Sequence, residues 1–185
     1  SHGTSGPRPD RNTPDQTTGP GHIHGRTVVA ATEHGKSIAT DGPHAYELSK
    51  LGSRHSNHAL QFLQSHLNNS RRKNQPFFLY YACNSNHAPY TPDAKIGGIP
   101  VNGAGRSKSG QSLGARGDFI HENDVALGRL LDYLDKTPDP RNQGNSLSQN
   151  TIVVFTSDNG AERKEKSATG PFRSNKGSVF EGGHR

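Results

Sequence analysis

The chain reads as an α/β fold, an incomplete mixed sheet flanked by helices and joined by long polar loops. Two short apolar runs, 76–83 and 151–156, have the composition of buried strands. Two longer stretches, 56–67 and 118–135, repeat apolar residues at threes and fours, the helical period. In chain order a helix is followed by a strand, a long loop, a second helix and a second strand, the alternation of an α/β domain.

Composition sets the outer limits. The 185 residues suffice for one domain with its own core. Leu, Ile, Val and Phe make up only about 17% of them, under the roughly 20% at which a packed core becomes doubtful. These residues cluster in 59–67, 76–83, 119–134 and 151–156, so ordered elements alternate with polar stretches. Met is absent and the chain closes on a Gly-rich turn, which together point to a fragment of a longer protein. The net charge of +6 and pI near 9.6 favour anionic partners, or reflect only a mildly basic surface. No basic-aromatic stripe of the nucleic-acid kind occurs. One Cys allows no internal disulfide, and the apolar run 77–83 is far too short to span a bilayer.

Residues 1–40 show no sustained period and read as loop-rich or disordered, with a short edge strand at 28–31. His22 and His24 have the spacing that shares one face of a strand, although a solvated loop is the plainer reading. At 56–67, Ala59, Leu60, Leu63 and Leu67 form an apolar stripe, and Ser56 or Asn57 can cap the helix. Arg71-Arg72-Lys73 is a basic break at its end. The run 76–83 is apolar on both faces, as a central parallel strand must be. Residues 91–117 read as a Gly- and Ser-rich loop. In 118–135, Phe119, Ile120, Leu127, Leu130, Leu131 and Leu134 carry the helical period, and Pro138 stops it. Glu122 and Asp124 are placed by this reading near the positive helix end.

Chemistry is expected at the ends of the two strands, since ligands in open α/β sheets gather at strand carboxyl ends. Asp158 and Asn159 follow the second strand and offer oxygen donors suited to a hard cation such as calcium or magnesium. An Asp-Asn-Gly sequence also makes a simple turn. His87 follows the first strand in the same kind of position, where a surface loop is the plain alternative. Lys176, beside Gly177, can approach an anion with little steric hindrance, or is a surface lysine.

Four blocks, in order, resemble the sulfatase family of the alkaline-phosphatase-like superfamily. They are 77–82 leading to His87-Ala88-Pro89-Tyr90, then Glu122-Asn123-Asp124 with Gly128, then 151–160, then Gly170-Pro171-Phe172-Arg173 with Lys176-Gly177-Ser178 and Glu181-Gly182-Gly183-His184-Arg185. They cover 76–185, and the resemblance implies that 41–185 is an incomplete sulfatase-like catalytic domain truncated at both ends. It further implies hydrolysis of sulfate esters, with Asp158 and Asn159 ligating one calcium ion. His87 and Lys176 would contact the sulfate and serve catalysis. The implied partner is a sulfated small molecule or polysaccharide, and the implied setting is periplasmic or secreted. The family's C/S-x-P-x-R motif, whose Cys or Ser becomes the formylglycine nucleophile, does not occur in these residues. Cys83 lacks the Pro and Arg and reads as a buried strand-end thiol. The nucleophile is therefore expected outside this chain, and the chain alone is expected to be inactive. A superfamily phosphate-ester hydrolase and a non-catalytic module for sulfated polysaccharide are the alternatives.

Overall fold

A computed structural model describes residues 21–24, 27–33, 36–37, 47–163 and 169–184. They are divided between two compact units, Ser1–Asn150 and Thr151–Arg185. The loop expected at 1–20 lies outside the described residues, as does part of the one expected at 161–175. Strands β1 (Gly21–His24), β2 (Thr27–Glu33) and β3 (Lys36–Ser37) form an antiparallel sheet in that order, with Ile23 opposite Val28 and Thr32 opposite Ser37. This is more strand than the single short edge at 28–31. The run Thr27-Val28-Val29-Ala30-Ala31-Thr32 has the β-branched content for it, but no turn signal strong enough to mark its ends.

Helix α1 (Leu51–Asn68) begins one turn before the expected 56. Leu51 is fully buried and extends the apolar stripe upstream, continuing through His55, Ala59 and Leu63. Ser56 does not cap the helix. Its hydroxyl accepts a hydrogen bond from Arg129 Nη1 at 2.7 Å, and Asn57 Oδ1 accepts from the same guanidinium at 3.1 Å. The first turn is capped from outside, where the Ser53 amide donates to Asp93 Oδ2 at 2.8 Å. A cap forty positions away leaves no local signature, so the sequence suggests the wrong start.

Helix α2 (Gly114–Lys136) is longer than expected at its N-terminal end and stops at Thr137, whose extended backbone suits a residue before proline. Leu130 and Leu134 pack with Ala59, Leu63 and Leu147 in one buried cluster. Each such leucine contributes about 1.5–3 kcal/mol through burial. Val125 and Ala126 pack with Ile96 and Val101 in a second. Ile120 and Leu131, counted in the expected stripe, are exposed. The stretch 91–117 is not simply loop. It contains a hairpin of β4 (Lys95–Ile96) and β5 (Ile99–Pro100) around Gly97-Gly98. Both glycines have positive φ, 57° and 88°, as a two-residue hairpin turn of the primed type requires. Asp118 anchors the segment that follows, accepting from the amides of Gly103 at 2.8 Å and Gly105 at 2.7 Å.

Neither apolar run forms a buried strand. Residues 76–83 are extended without a ladder partner among the described residues. Phe77, Leu79 and Tyr81 lie against the helix cluster, while Phe78 and Tyr80 are 86% and 81% exposed. Residues 151–157 likewise belong to no strand ladder among the described residues, with Ile152 92% and Phe155 70% exposed. Both runs keep strand composition, and both leave large apolar side chains exposed. A ladder needs a neighbouring strand, and covering both faces needs further layers.

Candidate active site

The His87 loop follows the extended run 76–83. Its turn is closed by the His87 amide donating to Asn84 O at 3.2 Å, and Asn86 takes the left-handed conformation, φ 74°, that asparagine tolerates. The Ala88–Pro89 peptide is cis. The His87 ring is exposed, and its Nδ1 lies 2.7 Å from Ala88 O, so the tautomer protonated at Nδ1 donates to that carbonyl. Cys83, at the start of the loop, is half-buried, and burial pushes its thiol up, with a partial offset from hydrogen bonding to Asn123. The thiol form favoured there is not a nucleophile.

Sequence reasoning missed the group at the base of this loop. Glu122 is 1% exposed, and it lies in the third turn of α2, well past the helix start where it was expected to act. Its Oε1 accepts from the Ser85 hydroxyl at 2.7 Å, and its Oε2 from the Asp93 amide at 2.6 Å. A Cβ on Gly52 would overlap the same carboxylate, so α1 approaches it with nothing between. Burial raises the Glu122 pKa. The Asp93 amide and the Ser85 hydroxyl pull it back, and the Asp93 carboxylate raises it further. A signal was available. Glu122 falls on the buried stripe between Phe119 and Val125, where an acidic residue is out of place unless it is hydrogen-bonded.

In the second unit, the Asp158-Asn159-Gly160 turn is joined to two other turns through backbone. Gly160 donates to Gly183 O at 2.9 Å, Lys176 donates to Ala161 O at 2.8 Å, and Gly182 donates to Arg173 O at 2.9 Å. Cβ atoms on Gly160, Gly182 or Gly183 would overlap facing carbonyls. Arg163 Nε donates to Lys176 O at 3.1 Å, and the Arg173 guanidinium covers the Phe180 ring at 3.6 Å. Asp158 is exposed, Asn159 and Lys176 are half-buried, and the Ser157 hydroxyl donates to Asn159 O at 2.7 Å. The structure thus brings three of the four expected site residues into one compact unit. His87 belongs to the other.

The donor set bears on a metal only in part. Asp158 and Asn159 offer the oxygen donors calcium prefers, yet calcium takes six to eight. Among the described residues, no group of three or more His, Cys, Asp or Glu side chains is placed to hold a metal ion. Nor is any described helix long and apolar enough to cross a membrane.

Each unit carries a donor-bearing loop that follows an apolar run, and such loops define the class of site. Comparison with known proteins then supplies the family. The family model described as Sulfatase matches residues 12–185, and the chain belongs to the sulfatase family. It is 36% identical over 132 residues to N-acetylgalactosamine-6-sulfatase of Mus musculus, covering 69% of this chain and 21% of that protein. Against N-acetylgalactosamine-6-O-sulfatase of Bacteroides thetaiotaomicron it is 36% identical over 104 residues, 56% of this chain and 16% of that protein. Against Arylsulfatase A of Homo sapiens it is 30% identical over 135 residues, 68% of this chain and 22% of that protein. The chain thus spans about a fifth of the length of these relatives. No solved structure matches it. Family membership carries the alkaline-phosphatase-like α/β fold, of which the two helices and the β4–β5 hairpin are the part seen here.

Proposed function

We propose that the whole protein hydrolyses sulfate esters and that this chain supplies sulfate recognition and part of a calcium site. The supporting geometry is the backbone joining of the Asp158-Asn159-Gly160 turn to the Lys176 turn, which keeps a cation and two oxygen donors in one unit. A sulfate ester needs its oxygens neutralised and the charge on the departing alkoxide stabilised. Lys176 offers three donors and a charge to those oxygens. His87, with Nδ1–H turned to Ala88 O, has Nε2 left for the ester. Either residue, when protonated, can deliver a proton to the leaving oxygen. Asp158 and Asn159 would hold a calcium ion, which when bound supplies Lewis-acid polarisation of a sulfate oxygen. The formylglycine nucleophile and the remaining ligands come from outside these residues. The names of two of these relatives favour a sulfated amino sugar as substrate.

The test is a substrate panel given to the whole protein. It should release sulfate from an aryl sulfate and from N-acetylgalactosamine 6-sulfate and leave aryl phosphate intact. Turnover of the phosphate ester alone would overturn the reading in favour of a superfamily phosphatase.

A further inference from the structure

The loop that carries His87 has a fastening at each end, and both fastenings are made to one side chain outside it. Ser85, two residues before His87, donates its hydroxyl to Glu122 Oε1, and Asp93, six residues after, donates its amide to Glu122 Oε2. Between them the bonds seen among the described residues are local, from the His87 amide to Asn84 O, between His87 Nδ1 and Ala88 O, and from the Thr91 hydroxyl to Pro89 O at 3.5 Å. The far side of Glu122 is closed by Gly52, and Asp93 in turn caps the helix that Gly52 belongs to. The carboxylate is therefore held on three sides by three separate chain segments. A carboxylate on the apolar stripe of α2 is a costly choice for packing alone, since an apolar side chain would bury there without needing partners.

We propose that Glu122 is the positioning residue for His87: by binding both ends of the Ser85–Asp93 loop it fixes where the imidazole stands. Its consequence for catalysis rests on the reading of His87 as a sulfate-site residue, but the positioning itself does not. Gln at 122 keeps an acceptor for the Asp93 amide and a donor for Ser85 Oγ, so it preserves the clasp without the charge. Ala removes both bonds and leaves the Asp93 amide unpaired.

The experiment follows the 185-residue chain by NMR, reading the His87 imidazole nitrogen signals and the amide exchange of 84–93, with the chemical shifts of Leu63 and Leu130 as the reference for an intact core. Glu122→Ala is expected to speed loop exchange by about tenfold or more and to move the His87 signals toward free-histidine values, with the Leu63 and Leu130 chemical shifts little changed. Glu122→Gln is expected to restore both. Ser85→Ala, which removes one bond and threatens the fold least, should speed loop exchange about threefold. Loop exchange and His87 signals that stay at wild-type values in Ser85→Ala would overturn the proposal. Chemical-shift changes that spread through loop and core alike in both alanine variants would overturn it equally, since Glu122 would then serve packing alone. In the whole enzyme, a loosened loop with unchanged sulfate release would instead sink the role given to His87.

Discussion

The two turns that carry the expected site residues are held in opposite ways. The His87 loop is fastened by side chains, through a buried Glu122 that accepts from Ser85 and Asp93. The Asp158 turn is fastened by backbone, through Gly160, Gly182 and Gly183 set so close to facing carbonyls that no Cβ fits. One can be adjusted by a change of side chain, whereas the other tolerates none at its glycines. A side-chain clasp also titrates, and a backbone clasp does not.

That contrast can be broken in order of expected effect. Gly160→Ala should be the most damaging single change, on the order of 3 kcal/mol, because the new methyl meets the backbone carbonyl of Gly182, which has no side-chain freedom to yield. Limited proteolysis should then cut within 151–185 while α1 and α2 stay protected. Wild-type resistance in that segment would show that the close approach of Gly160 and Gly182 does not hold the turn.

Glu122→Ala should follow at about 2–3 kcal/mol, from a buried amide left unpaired and two lost bonds. Glu122→Gln should cost less than about 1 kcal/mol by denaturant midpoint. Gly52→Ala should cost about 1–2 kcal/mol, since the Glu122 side chain can yield where a carbonyl cannot. A Gly52→Ala cost equal to that of Gly160→Ala would erase the distinction between the two clasps.

Two buried carboxylates, Glu122 in the side-chain clasp and Asp139 outside both clasps, should respond to pH in opposite directions. Burial raises the Glu122 pKa above its unfolded value, so the folded state binds the proton more tightly. Glu122 thus favours folding below its unfolded pKa near 4.5, and that contribution falls as pH rises through its folded value. Asp139 has the opposite sign. The Arg141 guanidinium, 3.1 Å away, and a bond from Asn150 hold its carboxyl down at about 2. Its contribution is present above pH 4 and is lost as the solution is acidified toward pH 2. Denaturant unfolding across pH 2–7 should show the low-pH loss disappear in Asp139→Asn and the rise at acid pH flatten in Glu122→Gln. The smallest effect concerns calcium. Two donors leave most of the shell to water, so calorimetry on this chain should find affinity no tighter than about 10⁻⁴ M.

What the sequence made legible was local. The period of 118–135 gave α2, and the stripe through Ala59, Leu63 and Leu67 gave most of α1. The hairpin at Gly97-Gly98 was missed because strands of two residues are too short to alternate. The start of α1 was missed because its cap comes from Asp93. The runs 76–83 and 151–156 were given as buried strands because composition reports what a segment can bury, not whether a neighbouring strand is at hand. At the site, His87, Asp158, Asn159 and Lys176 were visible as motif residues. Glu122 was seen but misplaced, since its role depends on Ser85 and Asp93 arriving from other segments.

The central claim is that His87 and Lys176 act on a sulfate ester. The direct measurement is sulfate release from an aryl sulfate by the whole protein, comparing wild type with His87→Ala and Lys176→Ala, each checked for an intact fold. A fall of about 10²-fold or more in kcat/KM for each variant is the predicted result. Sulfate release at the wild-type rate from either folded variant would contradict it.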